Sequence, residues 1–395
     1  MNLKHNILKM YLLKGVVWFM VAMPIIVLFF QEHGLTLSEV MIIQAIYSLT
    51  VAIFEIPSGY IADLFGRKKT IVLSTIFSFL GYLAFSFFGG FYAFVTASAL
   101  VGIGGSLMSG SDSALLYDTL LETGDKKSYT KIEGKNYAIG NFSEATAGIL
   151  GGFLAVSSIY LPIYVQTVIL FLSIPIALTL VEPTIHEENK IDRSIKAILG
   201  VVKFAIVENV KLRWLIIYSS TMGVATLAMA WFAQPYFKEL EIPLAYFGIL
   251  WAGLNFSAGL TSLNSHKFHK NDSNTKMLLY VGLAMATSFF FLGYKISLFG
   301  IIFIVFIYLF RGIITPILRN AINENTSSNK RATVLSIRSF IIRISFAICA
   351  PIFGYLADNY SLNITFYTLA ILVGVFSIFS AIHLNKLENK VSFAS

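Results

Sequence analysis

Five ionisable residues inside long apolar stretches of this 395-residue chain have side chains that could carry protons or bind charged ligands. Three acidic ones fall in the first half and two basic ones in the second half: Glu55, Asp112, Glu144, Arg311 and Arg343. Inside a membrane each would cost roughly 2.5–3.5 kcal/mol even on the most lenient insertion scale, so each is a functional candidate. Acidic and basic groups that face one another can form ion pairs that alternate with protonation, or separate a proton site from an anion site.

The three carboxylates are candidates for proton coupling. Glu144 is interpreted as a proton carrier, because a carboxylate in an apolar helix is desolvated and can exchange a proton near neutral pH. A permanently paired carboxylate is the alternative. Glu55 is expected to pair with Lys14, since both lie in the same third of neighbouring apolar runs. Asp112, with Asp118 nearby, either belongs to a gate network at the ends of these runs or takes part in coupling.

Arg311 and Arg343 are candidates for contacting a ligand or for serving as counter-ions. Three amphipathic side chains could line the same cavity: Trp231, Gln234 and Asn255. Packing or membrane-interface roles are the alternative for these three. The six histidines fall in connections or near the ends of apolar runs, and no nucleophile constellation is present, so we expect neither a metal nor a cofactor.

Composition indicates that the apolar stretches are membrane-spanning helices. Hydrophobic residues make up 56% of the chain and charged residues 13%, against about 45–50% and about 25% in soluble domains. Runs of spanning length fall at residues 10–30, 40–62, 70–88, 92–119, 136–157, 159–181, 213–235, 244–263, 277–294, 298–318, 333–357 and 362–384. Each must be helical, because hydrocarbon offers no water to the backbone and a helix pairs its own polar groups. The sequence therefore predicts an all-α integral membrane protein with twelve transmembrane helices.

The distribution of basic residues predicts the orientation. The formal net charge is +8, and lysines and arginines are held on the cytoplasmic side of membrane proteins. With the N-terminus inside, 23 of the 29 fall in cytoplasmic segments, and the opposite connections hold only Lys238 and Lys295. Both termini are predicted to be cytoplasmic, with the chain in the inner (plasma) membrane. Nucleic-acid binding is not needed to explain the charge.

One long connection divides the chain into two halves. We predict an N-terminal six-helix bundle (1–181), a cytoplasmic linker with an interfacial helix (182–212) and a C-terminal six-helix bundle (213–395). The halves also repeat at a constant offset of 202, which aligns Gly110 with Gly312. A weak internal repeat is typical of transporters whose binding site lies between the halves, near the bilayer midplane.

The segment between the second and third runs carries the most specific motif: Gly59-Tyr60-Ile61-Ala62-Asp63-Leu64-Phe65-Gly66-Arg67-Lys68-Lys69-Thr70. It resembles the loop signature of the major facilitator superfamily, G-x-[LI]-A-D-x-x-G-R-[KR]-x. Gly59 is expected to let two helices approach closely, and Gly66 to turn the chain. The resemblance implies the major facilitator fold of two six-helix bundles. It also implies a conformational latch between them, to which we assign Gly59, Asp63, Gly66, Arg67, Lys68 and Asp118.

Span five contains the segment Ala147-Gly148-Ile149-Leu150-Gly151-Gly152, which looks like the G-P-x-x-G-G element of proton-coupled drug antiporters. The proline of that element is missing here. Small residues at this spacing, Gly148, Gly151 and Gly152, also permit tight helix packing. A second departure is Ser98, which stands where these antiporters carry an arginine in span four, and this puts coupling through that arginine in doubt.

The resemblance implies a secondary transporter, and the bacterial branch it looks like contains drug and siderophore exporters. We expect proton-coupled efflux of a small amphipathic organic solute by alternating access. A nutrient or metabolite importer of the same fold, working as a symporter, is the alternative. A polytopic membrane enzyme is a remote third possibility. The expected partners are a small-molecule substrate, protons and the lipid bilayer, and we expect the chain to function as a monomer.

Overall fold

The computed structural model describes residues 3–184, 200–265, 274–327 and 330–392, which form helices joined by turns, with no strand among them. In chain order the helices are α1 His5–Val17, α2 Ile26–Glu32, α3 Leu37–Phe65, α4 Arg67–Phe87, α5 Phe91–Met108, α6 Ser111–Glu122, α7 Tyr129–Ser157, α8 Leu161–Leu178, α9 Val210–Glu239, α10 Leu244–Leu263, α11 Asn274–Tyr294, α12 Gly300–Glu324, α13 Arg331–Asn359 and α14 Leu362–Ser392.

These helices account for the predicted spans. Within the described ranges, eleven helical segments are long and apolar enough to cross a membrane, and α5 and α6 together form one of them. A shorter apolar segment, Met23–Glu32, continues the first span after α1. The all-helical fold with twelve spans is confirmed.

The first span is interrupted near its middle. α1 ends at Val17 and α2 begins at Ile26, and the backbone between them is not regular α-helix. Within this break the N–H of Met20 donates to the carbonyl of Trp18 at 2.9 Å, a bond over two residues where an α-helix would use four. In membrane proteins, interrupted spans with unwound backbone commonly build ligand and ion sites.

The fourth span is interrupted at Gly110, between α5 and α6. Its φ of +83° lies in the left-handed region, which ends a right-handed helix and which glycine adopts without a Cβ penalty. The aligned glycine of the second half, Gly312, lies inside the continuous helix α12. A Cβ at Gly312 would overlap the hydroxyl of Thr261 and the carbonyl of Ala258, so this glycine permits close approach of α10. The repeat has conserved the residue type at the two positions but not its structural role.

The chain forms two compact units, Met1–Asn189 with Ile242–Ala252 and Lys190–Glu241 with Gly253–Ser395. In the first unit α4 packs along α5 and α8, and α3 packs along α5. Small residues hold α4 close to α5, where the Ser74 hydroxyl donates to the Gly104 carbonyl at 2.6 Å. In the second unit α11 packs along α14, and α9 packs against α13 and α14.

The internal repeat is visible in the helix boundaries. α7 and α13 each contain 29 residues, and both of their ends are 202 positions apart.

Of the predicted linker, residues 185–199 lie outside the described residues. Residues 200–203 are helical and lead into a π-helical turn, Phe204–Glu208, directly before α9. There the Lys203 ammonium lies 3.4 Å from the Glu208 carboxylate, with both side chains exposed.

Asn6 at the start of α1 ties three segments of the first unit together. Its side-chain amide donates to the Thr119 hydroxyl at 3.1 Å and to the Val181 carbonyl at 2.7 Å. Its side-chain oxygen accepts from the Val181 N–H at 3.0 Å. The residue is fully buried, so removing the amide would leave buried polar groups without partners.

We predict that Asn6→Ala lowers the free energy of unfolding of the protein by about 1–3 kcal/mol, because it leaves a buried backbone N–H and carbonyl unpaired. Thermal or denaturant unfolding in detergent measures this. Asn141→Ala is the matched control, since Asn141 is exposed and its amide bonds only to the Tyr137 carbonyl of the preceding turn. Equal unfolding midpoints for the two variants would contradict the assignment.

Candidate functional site

The loop with the specific motif is a tight turn between α3 and α4. α3 ends at Phe65, Gly66 has a φ of +96°, and α4 begins at the next residue. The Arg67 guanidinium lies 2.6 Å from the Asp118 carboxylate near the end of α6, and the Asp118 side chain is 3% exposed. A buried pair of this kind fixes the start of α4 against α6. The structure thus brings together two of the predicted latch residues, Arg67 and Asp118.

Glu182 completes this turn, and sequence reasoning missed it. Its carboxylate accepts from the backbone N–H of Arg67 at 2.8 Å and from that of Lys68 at 2.6 Å. These N–H groups are among the unpaired donors at the N-terminus of α4, where the helix dipole also favours a negative charge. A Cβ on Gly66 would lie 3.0 Å from the same carboxyl group, so glycine serves both the turn and this contact.

Three latch residues remain: Gly59, Asp63 and Lys68. Among described atoms, none lies within 4 Å of a Cβ added to Gly59, so the expectation that Gly59 brings two helices together is wrong. Its position on the exposed face of α3 gives it no helix to contact there. The side chain of Asp63 lies outside the described residues. Lys68 enters the turn through its backbone N–H.

We predict that Glu182→Gln lowers the free energy of unfolding by about 1 kcal/mol, because the α4 N-terminus loses a charge-assisted cap. Unfolding in detergent checks this value. Glu208→Gln serves as the control, since its exposed pair with Lys203 is screened by water and contributes little. A Glu182→Gln variant as stable as Glu208→Gln would contradict the capping role.

The two interrupted spans meet at an ion pair. The Lys14 ammonium lies 3.3 Å from the Asp112 carboxylate, and their side chains are 17% and 13% exposed. The same ammonium lies 4.8 Å from the ring centroid of Trp18, within the range of a cation–π contact. The prediction that Lys14 pairs with Glu55 is therefore wrong. The break at Gly110 begins α6 where Asp112 faces the end of α1, and the sequence pattern did not reveal that break.

Polar groups of α6 and α7 surround this pair. The Asp112 carboxylate accepts from the N–H of Ser113 at 2.7 Å, and the Ser113 hydroxyl donates to the Glu133 carboxylate at 2.6 Å. Gly140 on α7 faces both partners of the cation–π contact, since a Cβ there would lie 3.4 Å from Lys14 and from Trp18. A small pocket beside the pair is lined by Met10, Leu13, Lys14, Val17, Trp18, Met108 and Asp112.

The glycine element of span five lies in α7 and receives two other segments of the first unit. A Cβ on Gly151 would overlap the carbonyl oxygen of Val21, so the broken backbone of the first span lies directly on α7. A Cβ on Gly152 would lie 2.8 Å from the N of Gly248 on α10. A Cβ on Gly148 would lie 3.1 Å from the Trp251 ring. These glycines therefore sit at close backbone contacts with two different segments.

We predict that Gly151→Ala destabilises the protein by about 1–3 kcal/mol, because the added methyl group must displace the Val21 backbone. Gly134→Ala is the control on the same helix. Nothing lies within 4 Å of a Cβ at Gly134, and alanine favours a helix over glycine by up to about 1 kcal/mol. We expect Gly151→Ala to lower the unfolding temperature and Gly134→Ala to raise it. Equal shifts would show that the Val21 contact is not tight.

The remaining candidates are distributed over both units. Glu55 and Glu144 are half-buried on α3 and α7. In the second unit Arg343 is half-buried on α13, whereas Arg311 is exposed on α12 and lies 5.6 Å from the ring of Tyr308. The amphipathic candidates are buried (Gln234) or half-buried (Trp231 and Asn255).

Sequence reasoning also missed Arg338. This arginine on α13 donates from Nε to the Ser219 hydroxyl of α9, and it lies close enough to Arg319 for the two cations to repel each other. The aligned residue of the first half is Asn136, which is buried, whereas Arg338 is half-buried. The signal that could have identified Arg338 in the sequence is that both aligned positions, 136 and 338, hold polar residues. Among the described residues, no group of three or more His, Cys, Asp or Glu side chains is arranged to hold a metal ion.

A family model for the Major Facilitator Superfamily matches residues 10–309. The chain belongs to this superfamily. Its members are transporters, so the protein is a multi-pass membrane transporter of small molecules and not an enzyme. In Bacillus subtilis (strain 168), the MFS-type transporter YxaM is 24% identical over 360 residues, which cover 88% of each chain.

Solved structures of other superfamily members share the fold. A variant of the nucleoside transporter NupG superimposes with a TM-score of 0.81 at 13% identity, covering 98% of this chain and 99% of that one. A D-xylose–proton symporter superimposes with a TM-score of 0.72 at 14% identity, covering 97% of both chains. At such identities the likeness extends to the fold and not to the solute.

Proposed function

We propose that this major facilitator protein is a proton-coupled exporter of a small amphipathic organic solute, working by alternating access. The observation that carries the proposal is the half-buried Lys14–Asp112 pair at the two interrupted spans. Interrupted helices are where transporters bind solutes and coupling ions, and a buried carboxylate is a group that can take up a proton. The candidate coupling residues are Glu144, Glu55 and Asp112.

The glycine element of α7 supports export over import. Its resemblance to the element of proton-coupled drug antiporters covers Gly148, Gly151 and Gly152, and all three lie at close contacts with other segments. The Arg67–Asp118 pair and the Glu182 cap fix, within the first unit, the α3–α4 turn that carries the residues of the proposed latch. In this proposal the latch holds one conformation of the transport cycle, together with Gly59, Gly66, Lys68 and Asp63.

Cations of the second unit support a solute with an anionic group. Arg311 and Arg343 lie on the spans α12 and α13, and Arg338 has a neutral hydroxyl as its hydrogen-bond partner. Guanidinium groups bind carboxylates and phosphates with two parallel hydrogen bonds. Gln234, Asn255 and Trp231 would add polar and aromatic contacts.

The charge distribution supports a plasma-membrane location with both termini in the cytoplasm, because basic residues concentrate on one set of connections. We infer that a single chain carries out the cycle, since the repeat supplies both halves of an alternating-access fold. The predicted boundaries at 181 and 213 would then mark the two halves.

Proton-coupled import is the second candidate. Ser98 stands where orthodox drug antiporters carry an arginine, and the fold is shared with a D-xylose–proton symporter and a nucleoside transporter. An importer would bind a polar nutrient and move it inward together with a proton.

Transport by membrane vesicles of opposite orientation distinguishes the two candidates. Inverted vesicles with an acidic interior are tested with dyes, antibiotics and metal chelators, and right-side-out vesicles with an acidic exterior are tested with nucleosides and pentoses. We expect an uncoupler-sensitive accumulation in the inverted vesicles alone. Accumulation in the right-side-out vesicles alone would overturn export, and accumulation that an uncoupler does not reduce would overturn proton coupling.

Asp118→Asn provides the matched test of the latch in the same vesicles. Arg67 loses its charged partner, so we expect slower accumulation with the same set of competing solutes. A changed set of competing solutes would contradict a latch role and place Asp118 near the solute.

A further inference from the structure

We propose that Asp112 is the site that binds the coupling proton, and that the Lys14 ammonium is a tethered cation that leaves Asp112 for the Trp18 ring when the proton binds. The inference rests on the proposed proton coupling and specifies its atoms. In the unprotonated protein Lys14 joins the two interrupted spans. When Asp112 takes a proton on its carboxylate, that link is lost while Lys14 keeps its charge.

The placement of the two charges on their helices favours this pairing. Lys14 lies in the last turn of α1, and Asp112 lies in the first turn of α6. A cation at a helix C-terminus and an anion at a helix N-terminus are both stabilised by the helix dipole, by roughly 0.3–1 kcal/mol each when exposed and more when partly buried. The two breaks therefore create the ends at which these charges are stable.

Both members of the pair lie inside predicted spanning segments. Asp112 lies within the apolar helical segment Phe91–Glu122, and Lys14 lies four residues after the start of the predicted run 10–30. Ionisable residues inside spans are costly, and in transporters they form proton relays and ion pathways.

Lys14 already contacts both of its proposed positions. Its ammonium lies 3.3 Å from the Asp112 carboxylate and 4.8 Å from the Trp18 ring centroid. Cation–π contacts reach about 2 kcal/mol or more in desolvated sites. A small rotation of the lysine side chain is therefore enough to exchange one partner for the other, and the charge does not become isolated in the membrane.

The other charged and titratable groups around α6 have defined positions. From α7, Glu133 reaches the site through Ser113, and Tyr129 lies within electrostatic range of Asp112. From α4, Arg67 pairs with Asp118, near the opposite end of α6. The 3-10 turn that follows α6 contributes Lys126, which lies over the ring of Tyr117. Lys14 is the cation that contacts Asp112.

The backbone next to Asp112 can respond to the loss of the link. Gly110 has a φ of +83°, and in the part of the chain that the structure describes no atom lies within 4 Å of a Cβ added there, so none of these atoms packs on the hinge between α5 and α6. On the other side, the broken first span rests on α7 at Gly151. Protonation would release α6 from α1 at the point where the backbone of both interrupted spans can bend.

Two pH titrations of the full-length protein in detergent test the proposal without any solute. The first follows the infrared carbonyl band of protonated carboxyl groups between about pH 4 and pH 9. The second follows the fluorescence of Trp18, taken as wild type minus Trp18→Phe, which subtracts the other three tryptophans. We expect the carboxyl signal of wild type minus Asp112→Asn to contain a band whose midpoint equals that of the Trp18 transition.

Five variants identify the carboxyl group that binds the proton. Asp112→Asn should remove both the band and the Trp18 transition. Lys14→Gln should change the midpoint of the band, because the carboxylate loses the cation that contacts it. Asp112→Glu keeps a carboxyl group and should keep a titration with a shifted midpoint, which separates a lost proton site from a misfolded protein. Glu144→Gln and Glu55→Gln should retain both signals.

Other results would overturn the proposal. Persistence of both signals in Asp112→Asn, an unchanged midpoint in Lys14→Gln, or loss of the band in Glu144→Gln would each assign the proton to another group. Because no solute is present, these outcomes are independent of the vesicle results. If the titrations agree with the proposal but the vesicles show inward transport, export is overturned and Asp112 is still the proton site.

Discussion

Backbone satisfaction in hydrocarbon is the constraint on which this fold depends. A spanning helix pairs its own N–H and carbonyl groups, so every interruption exposes groups that the rest of the protein must satisfy or cover. The first unit contains two such interruptions, between α1 and α2 and at Gly110. The first interruption lies against α7, and the second precedes the helix that carries Asp112. The carbonyl of Val21 lies against α7 where Gly151 has no side chain, and the end of α1 lies beside the start of α6. The two interruptions therefore explain why glycine stands at positions 110 and 151.

Comparison of the two repeats distinguishes the features that both halves share from those that belong to the first half alone. α7 and α13 have equal lengths and equivalent ends, so the duplication has preserved the helical frame. The second unit has a continuous helix at both places where the first unit is broken, namely α9 and α12. Its aligned glycine, Gly312, is used for close packing against α10. The breaks are thus not needed for the fold, and retaining them in one half alone is consistent with a specialised function of that half.

Much of the fold could be predicted from the sequence, because apolar length and the need for internal hydrogen bonds leave little choice. The site could not be predicted to the same extent. Residue types indicated Asp112 and Lys14 as candidates, but their pairing depends on a left-handed residue at Gly110, which hydropathy does not detect. Glu182 caps a helix that begins 115 residues earlier in the chain, and local patterns carry no information about such a contact. Gly59 shows the opposite error, since a motif residue was assigned a packing role that its exposed position does not support.

Charge is divided between the units in a way that follows from what each scaffold can hold. The interrupted spans of the first unit provide helix ends within the spans, and the helix dipole stabilises a cation at a C-terminal end and an anion at an N-terminal end. The continuous spans of the second unit provide no such ends, and there Arg338 depends on the hydroxyl of Ser219. A guanidinium tolerates this because its remaining donors are fixed in a plane and can bind an incoming anion directly. An ammonium that must change partners is better placed between a carboxylate and an aromatic ring, as Lys14 is.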